Sequence, residues 1–318
     1  MTDPNAGGRL VVRGLTDVRS VREILWPAFT TAAGPAELDY RQDVDMWRLR
    51  AAVAGAEPAD RPDVLLVADP VLFARDGLVQ GWEAAAGVQR LPAWMDAEGR
   101  WMSVYVQPIV AVHNSLYTRP PRTWAELADE RYDGRVVVEA PERMLTTGPA
   151  FAELRDPLGE VAWTAWLTTL GQRSVRQVAD NERAVLHVAT GSRWLGLANW
   201  NVARRVRPGS PVRHVFLDPT PLVPAFAVVV AGGAAVDLAR AFVTWLGSED
   251  GQDAVGRTGR IPAASVGADR RVRSEVIPDG VSIAAGNADW ITDPDRWIAT
   301  FRSSFPSASA ELAGKQRD

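Results

Sequence analysis

The chain has 318 residues, 47% of them hydrophobic and 23% charged, with a mean hydropathy of −0.10, which excludes a collagen, a disordered tail and a membrane bundle. Its formal net charge of −4 creates no field that would draw it to phosphate backbones or anionic lipid, so nucleic acid is not an expected partner. Cysteine is absent, which removes disulfides, thiolate nucleophiles and cysteine-ligated metals together. At roughly 100–200 residues per domain, the length predicts about two lobes, each large enough for its own core. Lys315 is the sole lysine among 35 basic residues, a bias that a GC-rich coding genome explains; tryptophan (13) outnumbers tyrosine (4) and phenylalanine (8). A rigid indole suits both core filling and ligand stacking.

Along the chain, short apolar strands alternate with helical patterns. Arg9 to Gly14 reads as a strand, and Thr16-Asp17 supplies an N-cap for a helix to about Phe29, with Val18, Val21, Ile24 and Leu25 on one face. Glu37 to Arg41 follows as a strand, Asp43 to Ala54 as a helix, and Asp63 to Ala68 as a buried strand ending at Asp69-Pro70, which opens another helix. Met102 to Asn114 is a long β-type run containing Pro108, suited to a strand passing between lobes. Beyond it lie Thr123 to Asp129 (helical), Gly134 to Glu139 (strand), a helix starting at Thr146, and helices over Leu158 to Leu170 and Asn181 to Thr190. Trp194 to Ala198 and Pro211 to Leu217 read as strands, and Pro224 to Ala231 as a second β-type run able to return the chain to the first lobe. Ala234 to Leu246, Ser248 to Arg257 and a segment near Asp295 to Phe305 are helical, and the last dozen residues are expected to fray.

This order predicts an α/β fold of two lobes joined by two hinge strands, with a ligand cleft between them. The expected boundaries are 1–107 with 228–265 for a discontinuous first lobe, 108–227 for the second, and 266–318 for a C-terminal helical segment packing on the lobes. The opening MTDPNAGGRLVVRGL has no basic start followed by an apolar run and a small-residue cleavage site, so no secretory leader is expected in it. An extracytoplasmic location follows if a leader was removed, and a cytoplasmic one if Met1 is the native start. No stretch approaches the ~18 uninterrupted apolar residues of a spanning helix.

Four segments carry a resemblance to a known family. They are DAEGRWMSVYVQPIVAVHNS (Asp96 to Ser115), PRTWAELADERYDGRVVVEAP (Pro121 to Pro141), NERAVLHVATGSRWLGLAN (Asn181 to Asn199) and FVTWLGSEDGQDAVGRTGRIP (Phe242 to Pro262). In order and spacing they resemble the type 2 periplasmic solute-binding proteins of ABC importers, in the branch of ferric-ion, polyamine, thiamine and phosphonate binders. The resemblance implies a Venus-flytrap fold that closes over a small solute and does not itself identify that solute; the expected ligand is a small polar organic molecule, anionic or zwitterionic, delivered by a monomer to an ABC permease. No cofactor and no resident metal is expected.

Candidate ligand residues fall after strands and at helix starts, where free backbone N–H groups hold anions. Thr146, Thr147 and Gly148 resemble the family's P-x-x-S-G-T loop, and two hydroxyls with exposed amides would grip a carboxylate, phosphate or phosphonate; a plain N-cap is the structural alternative. Asn199, Trp200 and Asn201 stand where ferric-binding relatives carry an N-Y-Y run. Neither Trp200 nor Asn201 can be an anionic hard ligand, so iron binding in that mode is not expected, and Trp200 offers instead a stacking face or inter-lobe packing. Thr16, Asp17 and Asp69 follow first-lobe strands, where either carboxylate could cap a helix or meet an ammonium group. Phe226 could face the cleft or pack in the hinge. Trp124, Tyr132 and the turn at Asp133-Gly134 read as structural, and so does the helix start at Ser248.

Enzyme chemistry finds little footing. His113, His187 and His214 show no zinc-binding spacing, and no nucleophile elbow, P-loop or dinucleotide fingerprint follows a strand. A cytoplasmic enzyme or sensor built on the same bilobal scaffold remains the alternative to a receptor.

Overall fold

A computed structural model describes residues 8–43, 46–82, 94–96, 98–267, 272, 275–287 and 289–305. Lys315 and the expected frayed end lie outside them. The chain divides into two compact units, one made of Met1–Val106 with Pro224–Ser274 and the other of Gln107–Val223 with Glu275–Asp318.

The first unit opens on β1 (Arg9–Gly14) and a π-helical turn, Ser20–Leu25, that runs into α1 (Trp26–Ala33). The sequence predicts one helix ending near Phe29; the observed one is longer, and Pro27, lacking an N–H to donate back to Glu23, sits where the wide turn gives way to α geometry. Then come β2 (Glu37–Gln42), α2 (Met46–Ala54), β3 (Val64–Val67), α3 (Val71–Ala74) and β4 (Val79–Gln80). β1 lies between β2 and β3 and is parallel to both, the arrangement expected of βαβ units.

β5 (Met102–Asn114) leaves the first unit and enters the second. The second unit continues with β6 (Val136–Glu139), α4 (Thr147–Glu153), α5 (Arg155–Leu158), α6 (Glu160–Gly171), β7 (Arg176–Val178), α7 (Asn181–Ala189), β8 (Leu195–Asn199), α8 (Trp200–Ala203) and β9 (Val212–Val215). β6 is parallel to β7 on one side and β8 on the other, while β5 runs antiparallel to β8 and β9. The expected helix at Thr123 to Asp129 is only a 3-10 turn over Ala125–Ala128, because seven residues between turn signals are too few to propagate an α-helix unaided.

β10 (Thr220–Val230) returns the chain to the first unit and pairs antiparallel with β3. It starts four residues earlier than the sequence predicts, since Pro221 reads as a breaker but stands at the strand's first turn of the ladder, where it pairs with Ala284. α9 (Val236–Leu246), α10 (Glu249–Arg257) and β11 (Ile261–Pro262, antiparallel to β5) complete the first unit. β12 (Ile283–Ala284), α11 (Asp289–Thr292) and α12 (Pro294–Ser304) belong to the second.

Each unit has its own aromatic core. In the first, Phe29 meets Phe242 edge to face at 5.2 Å beside Trp26 and Trp245. In the second, Phe151 meets Trp166 at 5.0 Å and Trp163 meets Trp297 at 5.5 Å, both near-perpendicular. Several of these indole N–H groups are spent inside: Trp124 donates to the Pro219 carbonyl, Trp166 to that of Trp124 and Trp163 to that of Phe151, each at 2.7 Å. Much of the tryptophan excess is thus core; the polar edge of the ring is satisfied in Trp124, Trp163 and Trp166, whereas Nε1 of Trp245 and Trp297 is buried without a partner among the described residues. Trp124 and Tyr132 are both about 1% exposed, and Gly134 has φ of 63°, so the turn before β6 is built from them as the sequence indicates.

Candidate functional site

Because β7, β6 and β8 are parallel, their carboxyl ends share one edge of the second unit's sheet, where ligands of α/β folds usually bind. Three valines bury β6, and Glu139 closes it, itself only 1% exposed. The chain then loops through Pro141–Arg143 to α4. Gly148 is required there: a Cβ would stand 2.2 Å from the Pro141 carbonyl oxygen and 2.9 Å from Met144 Sδ. Thr146 occupies the N-cap position, yet its hydroxyl does not cap the helix. Instead Asn181, the first residue of α7, donates from Nδ2 to Thr146 Oγ1 at 2.8 Å and to Glu139 Oε2 at 3.4 Å.

This network leaves polar atoms unspent. Glu139 Oε1, Thr147 Oγ1, Asn181 Oδ1 and, beyond the end of β8, Asn201 Oδ1 are buried and have no partner among the described residues. Such atoms carry a desolvation penalty of about 1–3 kcal/mol each unless something meets them. Burial pushes the Glu139 carboxyl up to about 8, against hydrogen bonding from Thr146 and the charge of Arg143, with Asp180 adding to the rise. A carboxyl so placed is a neutral acid at pH 7.

Beside it, Asn199 caps α8 by accepting from the Val202 N–H at 3.0 Å. Trp200 is partly buried, and the Arg204 guanidinium lies 4.7 Å from its ring centroid. Asn201 is 7% exposed. The second unit therefore brings Thr146, Thr147 and Gly148 together with Glu139 and Asn181, and sets Asn199, Trp200 and Asn201 at the end of the neighbouring strand.

In the first unit, Thr16 and Asp17 follow β1. Thr16 Oγ1 and Tyr105 Oη are 3.0 Å apart, and Tyr40 Oη donates to the carbonyls of Thr16 and Gly14. Asp17 caps the turn after it, accepting from the Ser20 N–H and hydroxyl at 2.9 Å each, and also from Arg260 Nη2 at 2.6 Å. Burial works to raise the Asp17 pKa, but the hydrogen bonds and charge of Arg260 and the Ser20 donors outweigh it and hold the carboxyl well below its usual range. The Arg260 guanidinium also packs 4.9 Å from the Tyr105 ring centroid. Asp17 is thus matched in charge within the unit.

Asp69 caps the short α3, with Oδ1 accepting from Val71 at 3.0 Å and Leu72 at 3.4 Å, while its Oδ2 is buried and has no partner among the described residues. Burial pushes this carboxyl up to about 7, against the two backbone hydrogen bonds and the charges of Arg75 and Arg50. Phe226 is fully buried in β10, opposite Val67 of β3. Burial also lowers the pKa of His113 and His214, and among the described residues no three His, Cys, Asp or Glu side chains group as metal ligands.

Glu139, Asn181, Tyr40, Tyr105 and Arg260 enter these networks without having been singled out in the sequence. For Glu139 a signal exists, since a charged residue ending an all-valine strand is an anomaly for a buried parallel strand. Asn181 is masked by Asp180, which supplies the α7 cap by accepting from the Arg183 N–H at 2.7 Å. Arg260 and Tyr105 are joined to Asp17 only by long-range folding.

The profile of a family described as bacterial extracellular solute-binding protein matches residues 62–277. No curated protein matches the chain by sequence. Solved structures share its fold at low identity. Iron-bound HitA from Pseudomonas aeruginosa is 18% identical with a TM-score of 0.71, over 93% of this chain and 99% of that one. The periplasmic binding protein AfuA from Actinobacillus pleuropneumoniae, with exogenous fructose-6-phosphate bound, is 15% identical with a TM-score of 0.74, over 95% and 99%. The substrate binding protein of an ABC transporter from Agrobacterium tumefaciens is 18% identical with a TM-score of 0.69, over 94% and 95%. The fold is that of the two-lobed periplasmic binding proteins, mixed α/β as the sequence predicts. With the profile matched over 62–277 of 318 residues, the chain belongs to the bacterial extracellular solute-binding protein family.

Proposed function

We propose that this chain is the solute receptor of an ABC importer, capturing a small polar organic solute, anionic or zwitterionic, by hinge closure and delivering it to a permease. Closure follows from the solute's greater affinity for the closed state, and from nothing else. The observation that carries the chemical class is the carboxyl edge of β7, β6 and β8. There the Thr147 hydroxyl and Glu139 Oε1 are buried and unspent among the described residues beside the tight Gly148 turn, which a side chain would block, while the Thr146 hydroxyl is taken by Asn181 and Glu139. A free hydroxyl donor suits an oxyanion, and the unspent amide oxygens of Asn181 and Asn201, which only accept, suit hydroxyl or amine groups on the rest of the solute. Iron as cargo finds less support: Trp200 and Asn201 stand where the family resemblance places tyrosine ligands and supply no anionic oxygen.

Native mass spectrometry of the purified protein should show a co-purified solute of this class. Calorimetry with phosphorylated sugars, phosphonates and amino acids should find a binder that also compacts the protein in small-angle scattering. A panel in which nothing both binds and compacts the chain would overturn the receptor reading.

A further inference from the structure

Glu139 is the one acid at the carboxyl edge of β6, and its two oxygens have different fates. Oε2 faces Asn181 Nδ2 and so acts as the accepting oxygen of the group. Oε1 is buried and has no partner among the described residues, and neither has the hydroxyl of Thr147 at the start of α4. The charged groups that act on Glu139 are Arg143, on the turn after β6, and Asp180, at the start of α7, and they oppose one another. Besides Asn181, the Thr146 hydroxyl and the Thr147 backbone N–H hydrogen-bond Glu139 and favour its ionised form. No cation among the described residues hydrogen-bonds it, and burial outweighs these donors in favour of the protonated form. A protonated carboxyl with its carbonyl oxygen engaged by Asn181 keeps its proton on the other oxygen, and that O–H is a donor in want of an acceptor.

We propose that Glu139 is a specificity-determining residue, a neutral carboxylic acid that donates from Oε1, with the Thr147 hydroxyl, to an anionic oxygen of the solute. This rests on the reading that the edge of β6 takes an anionic group, and adds a requirement on protonation. An oxyanion accepts two short hydrogen bonds while Glu139 holds its proton. Once Glu139 ionises, the same oxygen presents negative charge to the anion at close range and the subsite rejects it. The subsite therefore discriminates by pH, and against amine groups, which gain nothing from a neutral acid.

Sulfate is the probe, because its charge does not change between about pH 6 and about pH 9.5, so any pH dependence comes from the protein. Calorimetric or NMR titration of the whole chain should show sulfate binding at least about tenfold weaker at the upper pH than at the lower, as expected when the protonated fraction of a group titrating near 8 falls by more than that. Glu139→Gln keeps a donor at this position without a titratable proton, and should bind sulfate with little change over the whole range. Thr147→Val should weaken sulfate binding at every pH without altering the slope. Should Glu139→Gln fail to fold, the carboxyl carbon of Glu139 in labelled wild-type protein gives the same answer, since sulfate should raise its titration midpoint. A flat wild-type profile, or a midpoint that sulfate lowers or leaves in place, overturns the role of Glu139 and leaves the anionic reading standing. Sulfate that binds at no pH overturns both. Methylammonium that binds more tightly as pH rises, and is lost in Glu139→Gln, overturns the donor role in favour of a carboxylate that receives amines.

Discussion

Asp17 illustrates how a single side chain can serve the fold where the sequence leaves two readings open. An aspartate after a strand and before a helix reads first as a cap and second as a partner for a ligand's ammonium group. The structure shows it capping Ser20 and paired to Arg260, a side chain only 7% exposed that lies against Tyr105. Asp17→Ala removes the counter-charge from a nearly buried guanidinium and the cap from the first turn, and should cost about 2–4 kcal/mol in urea unfolding. Asp17→Asn keeps an oxygen for the Ser20 N–H and should cost less. If Asp17→Ala unfolds at the wild-type midpoint, the Asp17–Arg260 pair contributes nothing and the carboxylate is available for other partners. Residue-level roles of this kind are hidden in the sequence because the partner, Arg260, is 243 positions away.

At the level of elements, the sequence discloses what is periodic or punctuated and hides what depends on a partner. β1, β5, β6 and β8 are legible because apolar runs, β-branched in the first three, end at glycine, asparagine or a charge. α9 and α10 are legible because their apolar faces repeat at helical spacing and Ser248 caps the second. β7 is three residues long and carries no pattern of its own; only its place beside β6 makes it a strand. The docking of α12 is equally invisible. Gly171, the last residue of α6, lies so close to the Ser304 carbonyl that a Cβ would stand 1.8 Å from that oxygen. Gly171→Ala must push the end of α12 away and loosen Trp297 and Phe301 from the aromatic core around Trp163 and Phe151. A loss of roughly 2–4 kcal/mol is expected, with hydrogen exchange accelerated in α12 and α6 and unchanged in α9 and α10. Exchange that stays slow in α12 would mean that the helix can shift without losing its packing.

Across the whole molecule, two buried acids set the response of stability to pH. Asp69 lies in the first unit and Glu139 in the second, both fully desolvated, with carboxyls raised from ordinary values of 3.8 and 4.5 to about 7 and about 8. An acid whose folded pKa is raised binds its proton more firmly in the folded state than in the unfolded chain. Between the two values the unfolded state has lost a proton that the folded state keeps, so stability falls as pH rises through this window and levels off above the folded pKa. Asp17 acts in the opposite direction and only at acid pH: its carboxyl is held low, so its contribution is present above the ordinary carboxylate range and is lost as pH falls through the depressed pKa. Maximum stability is therefore expected near pH 4–5, on the acid side of neutrality. Thermal unfolding at about pH 5 and about pH 8.5 should show a melting point lower by roughly 5 °C or more at the higher pH. Asp69→Asn keeps the oxygen that caps α3 and Glu139→Gln keeps the length of its side chain, so each should flatten part of that decline. Because the two acids belong to different units and neither acts on the other's carboxyl, the double variant should show the sum of the two effects. A wild-type melting point that does not fall over this range would mean that both acids are ionised in the folded protein, and the neutral donor assigned to Glu139 would fall with it.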